Sequence, residues 1–290
     1  MIPQVLKVKC LEYLRHRQKM KIVKYLKRSS EFELAEKNEI MDYFADNPLS
    51  IFPYEFTKKY NSENVIVHTD SETMMKYVWH ENKRLYFKKN WHEKEIQNYY
   101  NGVLLEQDIN SPHRYETANF HIKENDIIVD AGAAEGNFAL SVVEKAKKLY
   151  LFEVDEEWIE ALKITFAPWK DKVEIVCKYV SDNDDGNNIT LDTFFKNKKI
   201  DFIKADVEGA EIDMLKGCQN ILSTTEKLKV AICTYHRSND AEKIDMVLQK
   251  SGFDTEFSKG YMIFIIDKAL GAPFLRRGLI YATKNEINKA

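Results

Sequence analysis

The apolar run Ile127-Ile128-Val129 breaks into Asp130-Ala131-Gly132-Ala133-Ala134-Glu135-Gly136, and a helix-like stretch begins at Asn137. No other feature constrains the chain so tightly. A strand that opens through a small-residue turn into a helix asks for a parallel sheet with crossover helices. A second apolar run, Leu149 to Phe152, closes on Glu153, about twenty residues beyond the turn. Small residues let the backbone approach a ligand, and a carboxylate at the second strand end suits a ribose diol. The two segments together read as a nucleoside-cofactor site above neighbouring strand ends.

The turn also bears on which nucleoside. The dinucleotide fingerprint G-x-G-x-x-G seats a pyrophosphate on a helix N-terminus. Here Asp130 leads into the turn, and Ala134 stands between Gly132 and Gly136. A carboxylate repels a pyrophosphate but welcomes a cation. The turn therefore favours S-adenosylmethionine, a sulfonium with an amino-acid tail, over NAD. A strand-turn-helix without a ligand is the bland alternative.

From Asp126 onward, strand and helix patterns alternate. Strands are expected at 127–130, 149–153, 173–177, 200–205 and 229–233. Helices are expected at 137–147, 156–166, 190–197, 209–222 and 240–251. Two further apolar runs, Tyr261 to Ile266 and Gly278 to Thr283, read as a closing hairpin. The pattern matches an α/β, Rossmann-like, seven-stranded sheet of the class I methyltransferase type, mostly parallel with a terminal antiparallel hairpin. A dinucleotide fold would more often end in another strand-helix unit.

The sequence before residue 121 divides in two. Nine Lys or Arg and one acid lie between Lys7 and Arg28, then six acids and one base between Glu31 and Asp46. Helix-spaced apolar residues run through both: Leu11, Leu14, Ile22, Tyr25 and Leu26, then Phe32, Ala35, Ile40, Tyr43 and Phe44. A helical hairpin turning at Ser29-Ser30 is expected, available for packing against another subunit as a homodimer. Peripheral contact of the basic helix with an anionic membrane is the competing reading. Val65 to His68, Met74 to His80 and Arg84 to Phe87 read as a small β-rich cap with a turn at Glu81-Asn82-Lys83, followed by a helix from Trp91 to Leu105. The expected organisation is 1–60 N-terminal helical segment, 61–120 cap and 121–290 cofactor domain.

Composition removes several classes. The 290 residues are 44% hydrophobic and 31% charged with a net charge of -3, so no general attraction to nucleic acid is expected. No apolar run reaches about 18 residues, so no membrane span is expected, and the N-terminus lacks a signal-peptide pattern. Cys10, Cys177, Cys218 and Cys233 have no C-x-x-C spacing and read as buried thiols in a reducing cytoplasm.

The Asp130 turn, the Phe152-Glu153 strand end and Ile200-Asp-Phe-Ile-Lys-Ala-Asp-Val-Glu-Gly-Ala-Glu211 resemble the FkbM family of S-adenosylmethionine-dependent methyltransferases. The resemblance covers about residues 120 to 285 and is carried most specifically by the last segment. Glu106 to Tyr115 also looks like the approach segment of a bacterial subset of these enzymes. The resemblance implies an O-methyltransferase acting on a carbohydrate or glycoconjugate hydroxyl, as in cell-surface polysaccharide biosynthesis. The chain departs from the family at Ala134, where a glycine is usual, and at the fifth strand end, Cys-Thr-Tyr-His rather than a carboxylate. An NAD-dependent oxidoreductase or epimerase, and a non-catalytic cofactor-binding scaffold, remain the alternatives. A protein or RNA methyltransferase also stays open, though the acidic balance argues mildly against RNA.

Under the methyltransferase reading, Gly132, Ala134 and Gly136 leave room for the methionine portion, with Asp130 facing its ammonium. Glu153 accepts from both ribose hydroxyls. Val180 and Ser181, with Asp182, fall where the adenine is held. Methyl transfer to a hydroxyl needs alignment and a base. His236 is the best-placed imidazole, with Asp206 and Glu208 at the fourth strand's end as orienting groups or alternative bases. His113, Arg114 and Tyr115 are candidate acceptor contacts, laid near the strand ends by the extended Ser111-Pro112 approach. Arg276 and Arg277 are candidates for gripping an anionic acceptor. Each has a structural reading too: a helix-capping Glu153, a backbone-bound His236, a solvated arginine pair. Asp206, Glu208 and His236 are a conceivable Mg²⁺ set, but no residue pattern requires one, and no metal is expected.

Overall fold

The structure is a computed structural model describing residues 4–196, 198–267 and 270–284, with side chains from residue 12. The N-terminal elements are α1 (Gln4–Leu26), α2 (Leu34–Asp46), a cap sheet of β1 (His68–Thr69), β2 (Lys76–His80) and β3 (Lys83–Tyr86), and α3 (Glu93–Glu106). The first alternations follow as β4 (Ile127–Ala131), α4 (Asn137–Val142), β5 (Lys148–Phe152), α5 (Glu156–Thr165) and β6 (Val173–Val176). A short ladder of β7 (Tyr179–Val180) and β8 (Asn188–Ile189) leads to α6 (Leu191–Phe194). Then come β9 (Phe202–Ala205), α7 (Glu211–Lys216), α8 (Gln219–Thr224), β10 (Leu228–Cys233), α9 (Asp240–Lys250), β11 (Asp254–Phe257) and β12 (Leu279–Lys284).

Seven strands form one sheet in the order β11-β12-β10-β9-β4-β5-β6. The pairs among β10, β9, β4, β5 and β6 are parallel, whereas β12 pairs antiparallel with both β10 and β11. The class I methyltransferase-like architecture is therefore present. Its interior strands are mainly apolar because both faces are covered, with Asp130 of β4 and Lys204 of β9 as charged exceptions. Alternate residues feed two cores: Ile128, Leu149, Leu151 and Phe202 on one face, Val129, Tyr150, Phe152 and Ile203 on the other.

One strand of the expected closing hairpin lies elsewhere. Asp254–Phe257 is the edge strand, and Tyr261 to Ile266 contributes only a single bridge, Met262 to Arg276. Its apolar residues serve another purpose. Ile263 N–H donates to Ile51 C=O at 2.9 Å and Tyr261 N–H to the Tyr54 hydroxyl at 2.7 Å, so this run packs under the segment that follows α2. Three helices are also shorter than their patterns: α4 stops at Val142, α6 covers only Leu191–Phe194, and the 209–222 stretch splits into α7 and α8 around Gly217. A Cβ on Gly217 would lie 1.9 Å from Ser181 C=O, so close packing against the 181 loop accompanies that break.

The helical hairpin and cap form as expected, with qualifications. Ile22, Leu26, Ile40, Tyr43 and Phe44 are buried, and Lys19 Nζ donates to the Phe44 and Asn47 carbonyls at the end of α2. Leu14 is exposed, so the contact is confined to the second half of α1, and the side chains of Cys10 and Leu11 lie outside the described residues. Glu81 and Asn82 both take positive φ, 48° and 63°, as a tight two-residue hairpin turn requires. Cys218 and Cys233 are buried free thiols, but Cys177 is exposed, because it sits just past the end of β6. No described helix is long and apolar enough to cross a membrane.

Candidate active site

The carboxyl ends of β4, β5, β9 and β10 converge on one crevice, the usual ligand position in open α/β sheets. Its floor is the turn after β4. Gly132 has φ 75°, and a Cβ there would fall 1.9 Å from the Asp206 carbonyl oxygen; Gly136 has φ 85°, and its Cβ would meet Leu162 at 2.7 Å and Phe166 at 2.9 Å. Ala134 also takes positive φ, 46°. Gly132→Ala therefore combines a left-handed backbone with a backbone clash, and about 3 kcal/mol or more of stability should be lost. Denaturant unfolding measures this; a variant within about 0.5 kcal/mol of wild type would contradict it.

Glu153 is half-buried and folded onto the turn. Its Oε2 accepts from Ala134 N–H at 2.9 Å, and its Oε1 accepts from Val154 and Asp155 N–H at 2.7 and 2.8 Å. The helix cap expected as its structural role belongs instead to Asp155, which accepts from Glu157 and Trp158 N–H. Val180 is buried and Ser181 half-buried at the end of β7, with the Ser181 hydroxyl directed to Asp182 and Asn183 at 3.5 and 3.3 Å.

Asp130 is not the open carboxylate that the turn suggested. It is fully buried, and its Oδ1 lies 2.9 Å from Lys204 Nζ. The β4–β9 register places Asp130 opposite Lys204, so the two side chains leave neighbouring strands on one face. Lys204 also donates to Gly132 C=O at 2.6 Å. Burial pulls the Lys204 ammonium down, but Asp130 and Asp206 outweigh this and hold it above the ordinary lysine range.

Asp206 is the hub of the crevice. The Tyr115 hydroxyl donates to Oδ2 at 3.0 Å and the Tyr235 hydroxyl to Oδ1 at 3.4 Å. His113 Nε2 lies 3.6 Å from Oδ2, and His236 Nε2 lies 3.5 Å from Oδ1. Burial raises the Asp206 carboxyl, yet His113, Lys204 and His236 together hold it well below the usual carboxylate range. Burial, then Asp206, pushes the Tyr115 and Tyr235 hydroxyls far up.

His236 sits between two carboxylates. Its Nδ1 is 3.0 Å from Glu211 Oε1, which also accepts from Val207 and Gly209 N–H at 3.1 and 3.3 Å. Burial depresses the imidazole, but Glu211 and Asp206 prevail and raise it above the ordinary histidine value. Glu208, in contrast, is exposed with φ 53°, and among the described residues its side chain makes no hydrogen bond or ion pair. The chain thus brings Glu211, not Glu208, to the imidazole. Glu211, Lys204 and Tyr235 were not singled out from sequence, although a lysine inside an apolar strand is itself a signal that a buried counter-charge exists.

The arginines have structural employment. Arg276 is buried, donates to the Tyr235 and His236 carbonyls at 2.7 and 2.8 Å, and pairs with Asp267, so it positions the His236 loop. Arg277 pairs with Glu36 at 3.0 Å and lies over the Tyr261 ring. Arg114 donates to the Glu116 and Gln107 carbonyls. It also lines a cavity of about 700 Å³ along β11 and β12, which reaches neither Glu153 nor Asp206 nor His236.

Among the described residues, two sets offer ligand atoms within 4.8 Å of one another: Asp206, Glu211 and His236, and His113, Asp206 and Cys233. The first set's contacts, 3.0 and 3.5 Å between imidazole and carboxylates, are accounted for by ion pairing.

Residues 181–255 match the family model described as the methyltransferase FkbM domain. That segment is similar to the FkbM methyltransferase domain. That FkbM match spans β8 to the start of β11 and includes Asp206, Glu211 and His236. No curated protein matches the sequence. Among solved structures, methyltransferase FkbM from Methylobacillus flagellatus is similar at 18% identity and TM-score 0.46, covering 66% of this chain. The chain spans about half of that protein, 53% of its length. An rRNA methylase from Streptococcus thermophilus is similar at 15% identity and TM-score 0.40, covering 57% of this chain and 89% of its own. A Streptococcus mutans protein solved in complex with SAH is similar at 15% identity and TM-score 0.39, covering 64% of this chain and 97% of its own.

Proposed function

We propose that the protein is an S-adenosylmethionine-dependent O-methyltransferase whose acceptor is a sugar hydroxyl of a glycan or glycoconjugate precursor. The observation that carries this reading is the His236 imidazole held between Asp206 and Glu211 at the lip of a carboxylate-lined crevice. The residues present fit a cationic nucleoside. Glu153 stands at the end of β5, the turn leaves no room for side chains at Gly132 and Gly136, and the Asp206 and Glu211 carboxylates flank His236 after β9. A pyrophosphate would meet repulsion there.

When bound, S-adenosylmethionine supplies an electrophilic methyl group on a sulfonium. The chain's own part is to hold the acceptor oxygen in line with the carbon–sulfur bond and to remove its proton. His236 Nε2 takes that proton while the Glu211 carboxylate, 3.0 Å from Nδ1, stabilises the imidazolium. Asp206, held strongly acidic, is a poor base and serves better as the charge that orients His236 and the Tyr115 and Tyr235 hydroxyls. The sugar acceptor follows from the resemblance to FkbM enzymes. Action on a precursor of a cell-surface polysaccharide, in the cytoplasm and as a homodimer through the N-terminal helices, belongs to the same proposal.

Titration calorimetry tests the cofactor. S-adenosylhomocysteine should bind and NADH should not; the reverse result would replace the reading with an oxidoreductase. Glu153→Ala should weaken S-adenosylhomocysteine binding about tenfold or more, because a charged acceptor for the ribose is lost. An unchanged affinity in a variant that melts like wild type would remove the ribose role.

A further inference from the structure

Asp130 cannot be the negative charge that a bound amino-acid tail meets, since Lys204 already neutralises it within the sheet. The turn contains one other carboxylate. Glu135 stands between Ala134 and Gly136, is 4% exposed, and accepts from the Tyr99 hydroxyl of α3 at 2.7 Å. Among the described residues it has no ion-pair partner. We propose that Glu135, rather than Asp130, is the carboxylate that receives the α-ammonium group of the methyl donor. The assignment rests on the methyltransferase reading and adds to it a specific contact for the donor's tail.

Three observations support it. Glu135 is part of the turn whose backbone the nucleoside must approach. Its surroundings are those of the crevice: Glu106 and Lys204 both act on its carboxyl, and Asp206 acts on the Tyr99 hydroxyl that bonds it. Burial, Glu81 and Glu135 together push the Tyr100 hydroxyl up. Burial lifts the Glu135 carboxyl to about 7, against the Tyr99 hydroxyl, a backbone N–H and the Lys204 charge, which lower it. A buried carboxylate of this kind gains most from a cation supplied by a ligand. Around Tyr99 pack Trp91 and Trp158, at 5.0 and 5.5 Å between ring centroids, which keep water from that side.

The test compares two probes. S-adenosylhomocysteine carries the ammonium; 5′-methylthioadenosine has the same nucleoside without the amino-acid tail. Glu135→Gln should weaken S-adenosylhomocysteine binding about tenfold or more and leave methylthioadenosine binding within twofold of wild type. Wild-type affinity for S-adenosylhomocysteine should rise between pH 6 and pH 8 as the carboxyl ionises, and the variant should lose that rise. Tyr99→Phe, which removes a hydrogen bond to the ionised form, should move the rise to higher pH, so the assignment can fail even if Glu135→Gln folds poorly. Equal losses for both probes, or none for either, would overturn the Glu135 assignment alone. Failure of the wild type to bind either nucleoside would overturn the methyltransferase reading with it.

Discussion

His236→Ala is expected to lower kcat by about 10²–10⁴ while leaving S-adenosylhomocysteine affinity near that of wild type, because a positioned base contributes to the transfer step and not to nucleoside binding. The pH dependence gives a sharper signature. A base must be neutral, and Glu211 and Asp206 raise the imidazole's proton affinity over its burial. Turnover should therefore climb as pH rises through a value above the ordinary histidine range of about 6.5. Glu211→Gln removes the strongest of the three raising carboxylates and leaves Asp206 and Asp240, so the same limb should move to lower pH. A limb that stays in place in Glu211→Gln, or near-normal kcat in His236→Ala, would dismiss this imidazole as the base.

Lys204→Met should cost about 3–5 kcal/mol of stability, the largest single effect expected outside the turn glycines. Methionine fills a similar volume, so the loss comes from leaving Asp130 ionised and unpaired in a fully buried position. The double variant Asp130→Asn with Lys204→Met removes both charges and should recover much of the loss. Denaturant midpoints of the three variants decide the matter. A single and a double variant with equal stability would show that the pair carries no coupling, and that Asp130 is neutral in the folded protein.

Much of the sheet was legible along the chain. Strands covered on both faces read as continuous apolar runs, and β4, β5, β9 and β10 all fall within two residues of their expected limits. The edge strand β11 was not legible, because its residues alternate between exposed and half-buried and two of them are acidic. The neighbouring run from Tyr261 drew the assignment instead. That run is apolar because Tyr54 and Ile51, more than 200 residues earlier, lie against it. Composition alone does not distinguish burial under a loop from burial in a sheet.

The candidate site divides in the same way. Gly132, Gly136, Glu153, Asp206 and His236 could be named from local pattern, since each sits at the end of an apolar run. Their partners could not. Glu208 and Glu211 are three residues apart in one acidic segment, and only the helical start at Glu211 turns that carboxylate inward to His236 while Glu208 stays in solvent. Asp130 and Lys204 are remote in sequence and meet because β9 lies beside β4 in the strand order.

The linear order of apolar, small and acidic residues was enough to specify a doubly covered parallel sheet with a small-residue turn at the end of its first strand. Periodicity and turn chemistry act over a few residues, and that range suffices for such elements. Which carboxylate is paired with Lys204, which one lies against the imidazole and which one accepts from Tyr99 were decided by tertiary packing. Those pairings depend on distances of about 3 Å between groups remote in sequence, and Coulomb energy in a buried site changes steeply over that scale.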